Sequence, residues 1–117
     1  MDVNAEAIKS EGLFSDGWTG PRWRAAYSVP IETKRLEVTV WSPLRLEAPS
    51  AFEVHLETLL EKTSGILKPE TRLTLSAALP EPIDGVGYFE IHPAFSASPP
   101  GDDIRTLGVL IVSVHFS

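Results

Sequence analysis

The chain contains no cysteine, which excludes a disulfide framework and a cysteine-built zinc site. It also lacks a long hydrophobic run: the longest apolar stretch, Val109 to Val112, is far too short to cross a bilayer. Basic residues are scarce. Lys and Arg number 10 against 16 Asp and Glu, a net charge of -6, whereas binding to a phosphate backbone needs clustered cations. Nucleic acid and membrane insertion are therefore not expected. The first residues are acidic and polar, so no secretory signal is expected and a cytoplasmic location fits.

Catalytic patterns are missing as well. No Gly-rich phosphate cradle and no Gly-x-Ser-x-Gly elbow occurs. The three histidines, His55, His92 and His115, each stand alone in a strand pattern, with no close pair to suggest zinc. Each reads as a surface or partly buried strand residue. Asp16, Asp102 and Asp103 could be paired on paper as glycosidase carboxylates, but so many acids make any such pair uninformative. Asp84-Gly85 with Asp102-Asp103 offers oxygen ligands to calcium, yet Asp-Gly is turn chemistry first and the EF-hand pattern is absent. No enzyme activity, cofactor or metal is expected.

What the sequence has in abundance is two-residue alternation. Trp23, Ala25, Tyr27 and Val29 alternate with Arg24, Ala26 and Ser28 until Pro30. Leu36, Val38 and Val40 alternate with Glu37, Thr39 and Trp41, predicting a neighbouring antiparallel strand that ends before Pro43. Phe52, Val54 and Leu56 form a third strand, and Glu61 to Gly65 reads as a turn in which the glycine can take a positive φ. Ile66-Leu67, Arg72 to Leu79 and Tyr88 to Ile91 continue the pattern, punctuated by Pro69, Pro80-Glu81-Pro82 and Asp84-Gly85. Seven or eight short strands at this spacing predict an all-β fold, an antiparallel β-sandwich that is jelly-roll-like. With 117 residues the chain fits one domain. Residues 13–117 read as the sandwich. Residues 1–12 read as a lead-in or linker, with a weak helix signal over Asn4 to Lys9 ended by Gly12.

The two ends are distinctive. Asp16-Gly17-Trp18-Thr19-Gly20-Pro21-Arg22-Trp23 and Asp102-Asp103-Ile104-Arg105-Thr106-Leu107-Gly108 each feed a strand. If the first and last strands are neighbours, Asp16, Trp18, Arg22 and Trp23 meet Asp103 and Arg105 at one sandwich rim. A flat indole can stack on the apolar face of a sugar while charged groups bind its hydroxyls. Each member also has a structural reading. Trp23 belongs to the alternating face and is expected in the core, and Asp103 with Arg105 can pin the loop by a planar ion pair. Gly108 permits a close backbone approach or a bulge.

The last strand, Leu107 to Phe116, places Val109 and Ile111 on one face and Leu110, Val112, Val114 and Phe116 on the other. Apolar residues on both faces imply cover on both sides. With Trp41, the residues Val112, Val114 and Phe116 could form a docking surface for a partner protein, a partner domain or a second copy.

The two end segments together resemble β-sandwich accessory modules of bacterial proteins that also carry glycosyltransferase domains. The residues that carry the resemblance are Asp16-Gly17-Trp18 with Arg22-Trp23, and Asp103-Ile104-Arg105-Thr106-Leu107-Gly108-Val109. One departure is His92-Pro93-Ala94-Phe95, where those modules place the phenylalanine before the proline. The resemblance implies a carbohydrate-binding-like jelly roll without catalytic residues, which positions a sugar-transferring partner. A carbohydrate ligand is thus one expectation, and a structural interaction domain docking through the last strand is the other.

Overall fold

The computed structural model describes residues 1–80 and 85–117. Among the described residues, nine strands run in chain order: β1 (Asp2–Val3), β2 (Glu6–Leu13), β3 (Thr19–Ser28), β4 (Arg35–Trp41), β5 (Phe52–Glu57), β6 (Lys62–Leu67), β7 (Arg72–Ala78), β8 (Val86–Pro93) and β9 (Leu110–Phe116). They form a four-stranded sheet, β1-β9-β4-β7, and a five-stranded sheet, β2-β3-β8-β5-β6. Set β2 aside as an added edge strand and number the other eight in chain order. The sheets then read 1-8-3-6 and 2-7-4-5, the strand order of a jelly roll. All neighbouring strands are antiparallel except the short β1–β9 pair.

The sheets face each other across one core, because most strands, though not the exposed edge strand β2, turn apolar residues inward. Trp23 of β3 meets Phe89 of β8 edge to face at 5.0 Å, and Tyr27 stacks on Phe89 at 5.9 Å. Phe116 of β9 crosses from the opposite sheet to both, at 5.5 Å from Tyr27 and 6.2 Å from Phe89. Truncating one such buried ring costs about 3–5 kcal/mol.

Four expectations are corrected. The strands ending at Pro30 and Pro43 do not pair: β3 lies in one sheet and β4 in the other, so the turn at residues 30–34 crosses between layers. Residues 1–12 are not a helical lead-in, since β1 pairs with β9 and β2 with β3. Tertiary pairing overrides the weak local helix signal. Three contacts hold this segment. Asn4 donates to the Phe116 carbonyl at 2.7 Å and accepts from its amide at 2.8 Å, and the Trp23 indole donates to Ser10 Oγ at 2.9 Å. Gly12, at φ 91°, sits where the β2 register shifts, and a Cβ there would lie 2.0 Å from the Arg22 carbonyl oxygen.

The third correction concerns Gly65. It belongs to β6 rather than to a turn, and the chain reverses at Thr58–Glu61 instead. Thr58 fixes that turn. Its hydroxyl accepts from the Glu61 amide at 3.0 Å and donates to the Ala78 carbonyl at 2.7 Å, tying the turn to the opposite sheet.

The fourth concerns β9. Its pairing with β4 slips between Thr39 and Val40, so Ser113 faces Thr39 while Ile111 faces Val40. Val112 is the extra residue of a bulge, which reverses the strand's parity. Ile111 before it and Val114 and Phe116 after it are all buried, while Val112 is half-buried. A bulge, not cover on two sides, explains the apolar run. Val114 and Phe116 are therefore core residues and cannot form the docking surface assigned to them. β9 is also flanked on both sides, by β1 and β4. The breaks at residues 81–84, including Asp84 and its place in a calcium site, lie outside the described residues.

Candidate functional site

β3 and β9 lie in opposite sheets and are not neighbours in a ladder, but the segments that lead into them meet. Thr19 donates its amide to the Val109 carbonyl at 2.8 Å, Gly108 donates back to the Thr19 carbonyl at 2.8 Å, and Ile111 donates to Gly17 at 3.0 Å. Gly108 is required for this approach: a Cβ would sit 2.6 Å from the Gly20 carbonyl oxygen and 2.6 Å from Pro93 Cγ. Arg105 binds Asp103 through Nη2 at 2.7 Å and Nε at 3.0 Å, and reaches Asp16 through Nη1 at 3.0 Å. Its guanidinium also lies 4.8 Å from the Phe14 ring centre. The Arg105 hydrogen bonds hold the Asp103 carboxyl down at about 2, and the same contacts push the guanidinium pKa up.

This cluster is a latch with its bonding capacity in use. Arg45, which no sequence pattern marks, completes it. Its side chain is only 8% exposed, and it stacks between Trp18 at 5.5 Å and Phe95 at 5.1 Å. It donates to the carbonyls of Ala97 at 3.2 Å, Gly108 at 3.3 Å and Leu107 at 3.4 Å, and pairs with Glu47 at 2.8 Å. One face of Trp18 is thus taken by a guanidinium. Trp23 is corrected outright as a ligand contact: it is 0% exposed and presents no face to solvent. Arg22 is exposed on β3 near the rim. Trp41 lies elsewhere, across β9 from Trp18, with Leu110 paired to both.

A second feature lies on the outer face of the five-stranded sheet. A groove of about 570 Å³ runs over β3 and β8, lined by Lys9, Arg24, Ala26, Thr58, Tyr88 and Glu90 among others. Its origin is local. Ala26 is the cross-strand partner of Tyr88 and forms the buried floor beside the ring. Lys9 of β2 stands on the far side of Ala26, and the stapled Thr58 turn forms the other wall. Tyr88 is 54% exposed, and with the exposed Leu59 of the turn wall it gives the groove an apolar lining.

One end of the groove is a row of charge. Glu11, Arg24, Glu90, Glu57 and Lys62 are successive cross-strand partners over five strands. Arg24 pairs with Glu90, Lys9 with Glu11 at 3.3 Å, and Lys62 with Glu57 at 3.7 Å. Partial burial pushes the Glu90 carboxyl up, but hydrogen bonds from His92 and Arg24 outweigh it, and the net shift is downward. Tyr88 and this row were not singled out from the sequence. Their only signal is the polar half of the alternation in Arg24-Ala26 and Tyr88-Glu90, which any solvated sheet face would give.

Comparison with known protein families, with curated proteins and with solved structures gives no match to this chain. Among the described residues, no helix is long and apolar enough to cross a membrane.

Proposed function

We propose that this chain is a non-catalytic carbohydrate-recognition module whose sugar site is the groove over β3 and β8, not the rim. The observation that carries the reading is the half-exposed Tyr88 ring beside Ala26, framed by Lys9, Arg24 and Glu90. A sugar ring has an apolar face for the tyrosine and equatorial hydroxyls for the carboxylate and guanidinium. Binding sites of this kind combine an apolar surface with a few placed polar groups. The groove is open and shallow, which suits a chain of sugars rather than a single enclosed one.

The electrostatics favour binding over hydrolysis. A glycosidase needs one carboxylic acid held protonated by a raised pKa. Glu90 is shifted the other way and is already bonded to His92 and Arg24. The resemblance of the two ends to glycosyltransferase-associated modules supports an accessory role, with a sugar-polymerising or sugar-transferring assembly as the partner. The rim then acts as the latch that closes the sandwich.

The test is a screen of the metal-free protein against a panel of oligosaccharides, followed by calorimetry on any hit. Stacking by one aromatic ring predicts that Tyr88→Ala weakens the hit by about 2- to 13-fold from the ring contact alone, since aromatic contacts carry about 0.5–1.5 kcal/mol beyond area burial. Trp18→Ala lowers thermal stability and leaves affinity unchanged. Absence of any sugar ligand, or a ligand indifferent to Tyr88→Ala, overturns the reading.

A further inference from the structure

We propose that His92, Glu57 and Glu90 form a binding site for a divalent transition ion of the zinc type, on the outer face of the five-stranded sheet. The site abuts the sugar groove and shares Glu90 with it, but it rests on ligand geometry and not on the tyrosine ring. β5 and β8 place two histidines and two carboxylates in adjacent rows: His55 is the cross-strand partner of His92, and Glu57 is the partner of Glu90. Like charges directly opposite on a sheet repel. Here Arg24 offsets Glu90, Lys62 lies 3.7 Å from Glu57, and the His92 imidazole reaches both carboxylates.

Two of the three spacings lie near those of a coordination sphere. His92 Nε2 lies 2.9 Å from Glu90 Oε2 and 3.8 Å from Glu57 Oε2, and the three candidate ligand atoms all fall within 4.8 Å of one another. Tetrahedral zinc with bonds of about 2.0–2.1 Å separates its ligand atoms by about 3.3 Å, so shifts of roughly half an ångström or less bring both imidazole contacts to that value. A small cavity of about 230 Å³ lined by His55, Leu56, Glu57, Lys62 and His92 opens beside the cluster, leaving room for an ion and a bound water. His55 pairs with Glu53 at 3.1 Å, which leaves the fourth position to water.

The donor set decides the metal class. Imidazole selects zinc, copper, nickel or cobalt over calcium and magnesium, which take oxygen ligands. Three protein ligands with an open position are the pattern of an accessible zinc rather than a closed structural one. The sequence concealed the site because His55 and His92 are 37 positions apart and each sits alone in its strand. Only the β5–β8 register brings them together.

The experiment is calorimetric titration of EDTA-stripped, dialysed protein with zinc chloride, with calcium chloride as a parallel arm. The expected result is one zinc per chain and no calcium binding at the same concentrations. Losing the central imidazole in His92→Ala should weaken zinc by more than ~100-fold, beyond the 10–100-fold typical of an outer-shell change. Glu57→Gln, which keeps shape and removes one carboxylate, should weaken it as well and serves if His92→Ala does not fold. His115→Ala, on the other sheet, should leave it unchanged. Lack of zinc binding overturns the proposal, and so does binding unaffected by His92→Ala and Glu57→Gln, or abolished by His115→Ala.

Discussion

Ala26 lies directly across the β3–β8 ladder from Tyr88 and is buried, so the floor beneath the half-exposed ring is already covered. A larger side chain there must push its neighbours aside. Ala26→Leu should displace the Tyr88 ring and weaken oligosaccharide binding at least ~10-fold, at a stability cost within the roughly 1–3 kcal/mol of overpacking. Calorimetry and a denaturant melt on the same preparation separate the two effects. Unchanged affinity would mean that the flank of the ring is not where the sugar lies.

The bulge at Val112 makes an opposite pair of predictions for two residues that strict alternation would place on one face. Phe116→Ala removes a ring packed between the sheets and should cost about 3–5 kcal/mol. Val112→Ala, at the half-buried extra residue, should cost less than ~1 kcal/mol. Urea unfolding of both variants decides it, and equal losses would contradict the register slip.

How much of this was legible in the sequence follows from what periodicity can and cannot encode. The alternation of Trp23 to Val29, Leu36 to Trp41 and Phe52 to Glu57 identified strands because burial of every second residue leaves its mark locally. It could not say that β3 and β4 lie in different sheets, since a hairpin and a crossover have the same local pattern. The bulge was invisible for a related reason: Val112 and Val114 are equally apolar, and only the partner strand counts the extra residue. The meeting of Asp16 with Arg105 was legible from polar residues placed beside the first and last strands. Arg45 was not, because its partners are the rings of Trp18 and Phe95 and three distant carbonyls.

The latch carries its own dependence on pH. Asp103 is held at about 2 in the folded chain against an ordinary 3.8. A depressed carboxyl stabilises the fold fully above its unfolded pKa, and that contribution is lost as pH falls from about 3.8 to about 2. Asp103→Asn should therefore melt below the parent at neutral pH and approach it at pH 2, with Arg105 left to Asp16 alone. Thermal melts across that range provide the check. A constant gap down to the lowest pH would remove the ion pair as the cause.

The location of the sugar is the central question, and chemical-shift mapping with the tightest oligosaccharide answers it most directly. Amide shifts concentrated at Arg24, Ala26, Tyr88 and Glu90, with Trp18 and Arg105 unmoved, are the predicted result. Shifts confined to the Asp16–Arg105 rim, or to the Trp41 face of the opposite sheet, would contradict the account.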